Sequence, residues 1–217
     1  MHPLSGSHHT TACRLPHWVP ACAQWVRTVE SICKNFHYSD APWEYLERTN
    51  SAILGAALTE CRVPAMPETY VMRNGRPQNH ERVDLCLVRT AGTSTILELV
   101  ECKEIEREGS AIVRAIASRL KDAYNQVHNI TGIHRKQISS LAGITTERTI
   151  VVIGLPEFKS TTPASSVEAN VQQLLSDLVG MPLLDVVAWC FPQQYILTPS
   201  TRYGKFYPGV FLAVQKA

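Results

Sequence analysis

The chain has 217 residues, 45% hydrophobic and 18% charged, which is enough apolar material for one sizeable core and too little charge for a disordered protein. Lys+Arg 21 against Asp+Glu 19 leaves a formal net charge of +2, so any polyanion site has to come from local arrangement rather than from the field of the whole molecule. No run of about eighteen apolar residues is present to span a bilayer. The first ten residues carry His, Pro, Ser and Gly where a secretory signal has an apolar stretch, which implies an intracellular, cytoplasmic protein without membrane contact.

Residues 1–17 read as a flexible N-terminus ahead of a single domain over 18–217. Within residues 18–36, Trp18, Val19, Trp25, Val26, Val29, Ile32 and Cys33 recur at roughly helical spacing, with Pro20 limiting where the helix begins. His37-Tyr38-Ser39-Asp40 then reads as a loop with a candidate N-cap. Residues 41–60 give the clearest helix: Trp43, Leu46, Ile53, Leu54, Ala57 and Leu58 share one face, and Glu47 and Asn50 fall inside it.

Glu68–Met72 is a candidate strand, Asn74-Gly75-Arg76-Pro77 a turn, and two strands follow at about 82–89 and 95–103. A second amphipathic helix spans 110–128, with Ile112, Ile116, Leu120, Ala123 and Val127 inward, and Thr149–Leu155 is a nearly all-apolar strand that implies burial on both faces. A helix at 165–179, a strand at Leu184–Cys190 and two short strand candidates at Gln194–Thr198 and Gly209–Val214 complete an α/β order.

The chemistry concentrates in Arg82-Val83-Asp84-Leu85-Cys86-Leu87-Val88 and Thr95-Ile96-Leu97-Glu98-Leu99-Val100-Glu101-Cys102-Lys103. A two-residue turn at Gly92-Thr93 pairs Ala91 with Ser94 and sets Asp84 opposite Glu101. Like charges about 5 Å apart are unfavourable unless a cation lies between them, and a divalent metal would supply it. Alternation puts Lys103 on the face of Asp84 and Glu101, while Val83, Leu85, Leu87 and Val100 point the other way into apolar packing. Carboxylate oxygens suit Mg²⁺, which takes one or two protein carboxylates and keeps positions for a phosphate oxygen and a nucleophilic water. Lys103 beside it would orient the water and stabilise charge growing at phosphorus.

In these residues the chain resembles the PD-(D/E)xK nuclease superfamily, over about residues 41–155, with Val83 where the motif has proline. The resemblance implies a restriction-endonuclease-like core, a central mixed β-sheet flanked by helices, and a metal-dependent nuclease acting on DNA as an endonuclease, with Mg²⁺ or Mn²⁺ as cofactor. Asp84, Glu101 and the backbone carbonyl of Cys102 would hold the metal. An acidic residue of the first helix would join them: Glu47, which lies in the face that packs on the sheet, with Glu44 in reserve. Arg119 and Gln126 on the second helix would touch the scissile phosphate or order the site. Basic residues such as Arg73, Arg76, Arg82, Arg114 and Arg119 would steer the phosphate backbone, and cutting both strands would call for a homodimer.

The competing readings are a scaffold that has lost cleavage and binds nucleic acid or protein, a structure-selective or RNA-directed nuclease, and an ordinary hairpin with a diagonal Asp84–Lys103 salt bridge. Glu-x-Lys recurs at Glu157-Phe158-Lys159, but behind Pro156 and without a preceding hairpin aspartate. The seven cysteines, Cys13, Cys22, Cys33, Cys61, Cys86, Cys102 and Cys190, include no C-x-x-C pair, most of them are expected as buried free thiols, and the histidines match no zinc module. Neither a G-x-S-x-G elbow nor a glycine-rich phosphate loop after a strand is present.

Overall fold

The computed structural model describes residues 2–39, 41–44, 47–73, 82–109, 111–133, 144–197 and 204–217. Strand β1 (Ser5–His9) leads to helix α1 (Trp18–Asn35), a 3-10 turn at Pro42–Glu44 and helix α2 (Glu47–Glu60). Strands β2 (Ala65–Arg73), β3 (Arg82–Ala91) and β4 (Ser94–Glu108) are antiparallel neighbours. Helix α3 (Ala111–His128) and the short β5 (Ile130–Ile133) precede β6 (Ile144–Lys159). Helix α4 (Ala164–Val179), β7 (Val186–Cys190), helix α5 (Gln193–Leu197), β8 (Lys205–Phe206) and β9 (Val210–Lys216) follow.

These strands build one mixed sheet in the order β1-β7-β9-β6-β4-β3-β2-β5, with β8 added to β6. β6 runs parallel to β4 from Thr95↔Ile144 to Glu108↔Glu157, which requires a crossover connection, and α3 supplies it. Helices cover both faces. Val151 and Ile153 pack with Leu85, Leu87, Val100 and the apolar sides of α1 and α2, whereas Ile150 and Val152 pack with Leu97, Leu99 and the stripes of α3 and α4. This double burial explains the unbroken apolar run read in the sequence. At Gly154 the ring of Phe211 on β9 lies across the strand, so close that a Cβ there would meet the ring's Cζ at 1.9 Å.

Pro20 sits in the first turn of α1, where its missing N–H breaks no helical hydrogen bond. The start of that helix is tied to the sheet by Glu98, a fully buried residue of β4. Its carboxylate accepts hydrogen bonds from Trp18 Nε1 at 2.7 Å, Arg89 Nε at 3.2 Å and Thr149 Oγ1, and lies 2.6 Å from His17 Nε2. Burial alone would push the Glu98 pKa up, but the bonds and charge of His17, with Thr149 and Trp18, outweigh it and hold it below the ordinary value. Toward the β1 edge of the sheet, buried Asp185, just before β7, is gripped by Arg14 through Nε at 3.0 Å and Nη2 at 2.7 Å.

Several expectations need correction. Residues 5–9, read as loose, form an edge strand paired with β7, a polar strand whose order comes from ladder bonds rather than from an apolar face. The helix read over 41–60 is interrupted: Pro42–Glu44 is a 3-10 turn and α2 begins at Glu47. Trp43 packs edge-on to Tyr195 and donates to the Tyr207 carbonyl, so it belongs to the core through the turn rather than through the helix stripe. In place of the strand expected over Gln194–Thr198, Gln193–Leu197 is helical and buries Tyr195 and Ile196. Glu157 and Lys159 lie within β6, Glu157 pairing with Lys205 at 2.9 Å. Leu46, Asp40 and the turn at 74–77 lie outside the described residues, as do the side chains of Glu44 and Arg73. Among the described residues no helix is long and apolar enough to cross a membrane.

Candidate active site

The hairpin forms in the register that the Gly92-Thr93 turn dictates, with Gly92 at φ +61, a left-handed conformation that glycine adopts without steric penalty. Pairing runs from Ala91↔Ser94 to Leu85↔Val100 and ends there, one residue short of Asp84 and Glu101. From that point β4 continues toward Glu108 with β6 on one side and no strand partner for its Glu101–Glu108 half on the side β3 has left, among the described residues.

Backbone amides on that opened side need acceptors, and two acidic side chains provide them. Asp84 Oδ2 accepts the Cys102 N–H at 2.7 Å, and Glu47 Oε2, from the first turn of α2, accepts the Glu104 N–H at 2.8 Å. Lys103 Nζ donates to Glu101 Oε1 at 2.8 Å, so the lysine pairs along its own strand and not diagonally with Asp84. Glu101 is 4% exposed, and the side chains of Asp84 and Lys103 are half-buried.

These groups act on one another through their charges. Burial, then the charge of Glu101, pushes the Asp84 pKa up to about 6, with a smaller upward contribution from Glu47 and opposing ones from the Cys102 N–H and Lys103. Burial alone would lower the Lys103 pKa; its bond to Glu101 and the charges of Glu101, Glu47 and Asp84 outweigh it and raise the value. Glu101 thus contacts the ammonium at 2.8 Å while Asp84 and Glu47 act on it through their charge, leaving a local surplus of negative charge.

One face assignment fails. Val83 packs with Cys86 and Leu99 on the α3 side, while Leu85 and Leu87 pack under α1 and α2. Alternation along β3 is lost at Asp84, opposite Glu68 of β2, whose backbone is left-handed at φ +48. The β2–β3 ladder records Pro67↔Leu85 and Thr69↔Val83 and skips the position between them.

Glu104 was not singled out in the sequence, yet it belongs to the site's margin. Its Oε2 accepts from Asn50 Nδ2 of α2 at 3.0 Å, and burial, partly opposed by that bond and assisted by Glu106 and Glu47, pushes its pKa up to about 7. The signal available was Asn50, a polar residue inside the apolar face of α2 and 2% exposed.

Of the α3 candidates, Arg119 lies 3.6 Å from Asp122 on its own helix, and Gln126 Oε1 is buried without a hydrogen-bond partner among the described residues. Arg114 is exposed and Arg76 lies outside the described residues. No three His, Cys, Asp or Glu side chains among the described residues stand close enough to hold a metal ion together. All seven cysteines are free thiols, five of them buried, as the sequence implied. No protein-family model, curated protein or solved structure matches the chain.

Proposed function

We propose that the chain is a metal-dependent phosphodiesterase of the PD-(D/E)xK type, a DNA endonuclease. The observation that carries this reading is that Asp84, Glu47 and the Glu101–Lys103 pair all engage β4 within residues 101–104, just past the point where β3 leaves it. The element order supports it: helix α2, the β3–β4 hairpin, helix α3 and β6 parallel to β4 follow the order expected of a restriction-endonuclease-like core.

The donor set fits Mg²⁺ or Mn²⁺. Hard carboxylate oxygens in a site of surplus negative charge suit such an ion, which takes one or two protein carboxylates and fills its other positions with water and substrate rather than needing a closed protein cage. Asp84 and Glu101 would hold it, with Glu47 and the Cys102 carbonyl at its margin. When bound, the metal would supply Lewis-acid activation of the phosphate and of a water.

The chain's own residues do the rest. The Lys103 ammonium, delivered to the site by a central strand and held by Glu101, donates to the attacking water or a phosphate oxygen and offsets the charge that develops there. The Cys102 side chain lies in the core, so the strand cannot roll, and this fixes Glu101 and Lys103 on the opposite face. Cutting both strands of a duplex would call for two chains.

The test is plasmid nicking by purified protein with Mg²⁺ or Mn²⁺, stopped by chelator, alongside Lys103→Ala, which should retain the fold and lose cleavage by on the order of 100-fold or more. Unchanged metal-dependent cleavage by that variant would refute the assignment. A second reading has one observation in its favour: Asp84 and Glu47 each bond a backbone amide and Glu101 bonds Lys103, the arrangement of a scaffold that binds without cutting. Calorimetric titration with Mn²⁺ separates the two, since only the catalytic site should bind the ion and lose that binding on Asp84→Asn. A panel of duplex DNA, single-stranded DNA and RNA decides the substrate.

A further inference from the structure

Beside Asp84, the cleft between α2 and the β2–β3 pair opens into a pocket of about 450 Å³, lined by Arg48, Ser51, Pro67, Glu68, Arg82 and Asp84. Its polar wall has an unusual construction. One carboxylate, that of Glu68, holds two guanidiniums from two different elements: Arg48 Nε of α2 at 3.2 Å from Oε1, and Arg82 Nη1 of β3 on Oε2. Glu68 does this from a left-handed backbone conformation within a strand, at φ +48, where a residue with a Cβ is disfavoured. Such a departure, at the one skipped position of the β2–β3 ladder and opposite Asp84, persists only because its surroundings enforce it, and it points to a role for the side chain it redirects.

The side chain of Arg48 is 83% exposed and that of Arg82 40%, so both can be reached from solvent. A guanidinium presents its N–H donors as a planar fork, and that fork matches the oxygens of a phosphate. An exposed ion pair of this kind adds little to stability, which leaves the convergence on a pocket as the feature in need of a reason.

We infer that Arg48 and Arg82, held together by Glu68, form a subsite for a phosphate of the nucleic-acid backbone adjacent to the phosphate cut at Asp84. The inference rests on the phosphodiester reading of the Asp84 cluster and deepens it. The ligand is a polyanionic strand with at least two consecutive phosphates: one at the Asp84–Glu101–Lys103 cluster, the next between the two guanidiniums. Isolated phosphoesters, lacking the second phosphate, should be poor substrates. Arg82 was one of several scattered basic residues in the sequence; Arg48 enters only through the fold.

The experiment measures binding of a fluorescently labelled 30-base-pair DNA duplex by anisotropy across a KCl series, with Ca²⁺ in place of Mg²⁺, and cleavage kinetics with Mg²⁺. Arg48→Ala and Arg82→Ala are compared with Arg27→Ala, an exposed arginine on α1. Each subsite variant should weaken binding by on the order of tenfold and reduce the slope of log affinity against log salt by about one, with KM raised more than kcat is lowered, whereas Arg27→Ala should match the parent protein. Arg48→Lys, which keeps charge without the fork, should recover only part of the loss. If Arg82→Ala fails to fold, the exposed Arg48 decides the matter alone. Unchanged affinity and salt slope in Arg48→Ala, in a protein that cuts DNA, reject the subsite and leave the nuclease standing. Arginine-dependent binding in a protein that cuts nothing keeps the subsite and rejects the nuclease. A protein that neither binds nor cuts the duplex overturns both.

Discussion

Asp84 reaches across the end of the hairpin ladder to accept the Cys102 amide at 2.7 Å, so one carboxylate both completes the backbone of β4 and is one of the two proposed to hold the metal. The two roles separate by mutation. Asp84→Asn keeps an oxygen for the amide and sheds a charge that burial and Glu101 disfavour, so its melting temperature should equal or exceed that of the parent while cleavage is lost. Asp84→Ala leaves the buried Cys102 N–H without an acceptor, and chemical denaturation should show a loss of about 1–3 kcal/mol. Equal stability of the two variants would show that the hydrogen bond contributes nothing.

Two carboxylates of β4 should give opposite pH dependences. Glu98 lies below its ordinary value of 4.5, so its contribution is present above 4.5 and lost as pH falls through the lower folded value. Glu104 lies above 4.5, at about 7, so its contribution is full below 4.5 and lost as pH rises through 7. Urea midpoints of metal-free protein should therefore fall on both sides of an optimum. Glu98→Gln should flatten the acid limb, and Glu104→Gln should flatten part of the neutral limb, where Asp84, raised to about 6, adds the same sign.

The contact between Gly154 and Phe211 predicts a site intolerant of even one methyl group. Because the ring already occupies the Cβ position, Gly154→Ala must displace a fully buried aromatic between β6 and β9, and equilibrium unfolding should show a loss of about 1–3 kcal/mol. Combining it with Phe211→Leu should recover part of that loss.

Thiol labelling of native protein should reach Cys13 and Cys61, which are partly exposed, and spare Cys22, Cys33, Cys86, Cys102 and Cys190 until the chain unfolds. For Cys102 burial, then the neighbouring charges of Asp84, Glu47 and Glu101, holds the thiol far up, so alkylating reagents should leave cleavage intact. Rapid inactivation by a small alkylator would contradict the burial described for this strand.

What the sequence disclosed follows from where the decisive forces are local. The α3 stripe of Ile112, Ile116, Leu120, Ala123 and Val127 is buried in full, and the Gly92-Thr93 turn sets the hairpin register, because periodicity and turn chemistry act over a few residues. The break before α2 escaped notice because Trp43 and Ile53 are apolar on either side of it, so the stripe counts straight through a turn that Tyr195 and Tyr207 pin from across the fold. Helix α5 was misread because Tyr195 and Ile196 favour strands by type, and burial of both side chains overrode that preference.

Within the site, Asp84, Glu101, Lys103 and Glu47 were legible as residues of one motif and one apolar face. Their backbone partners were not, because the β3–β4 ladder ends at Leu85↔Val100 beside an irregularity at Glu68, and a positive φ at glutamate leaves no trace in composition. The Glu98 anchor was invisible for a related reason: three of its partners, His17, Trp18 and Thr149, come from two distant segments.

The amides of Cys102 and Glu104 make the opened side of β4 a built-in reporter. Both are bonded by side chains rather than by a neighbouring strand, so their deuterium uptake depends on where two carboxylates point. An ion that draws Asp84 and Glu47 toward itself would loosen its hold on two named protons in the middle of an otherwise protected strand, and mass spectrometry of that one peptide would register occupancy without substrate, turnover or label.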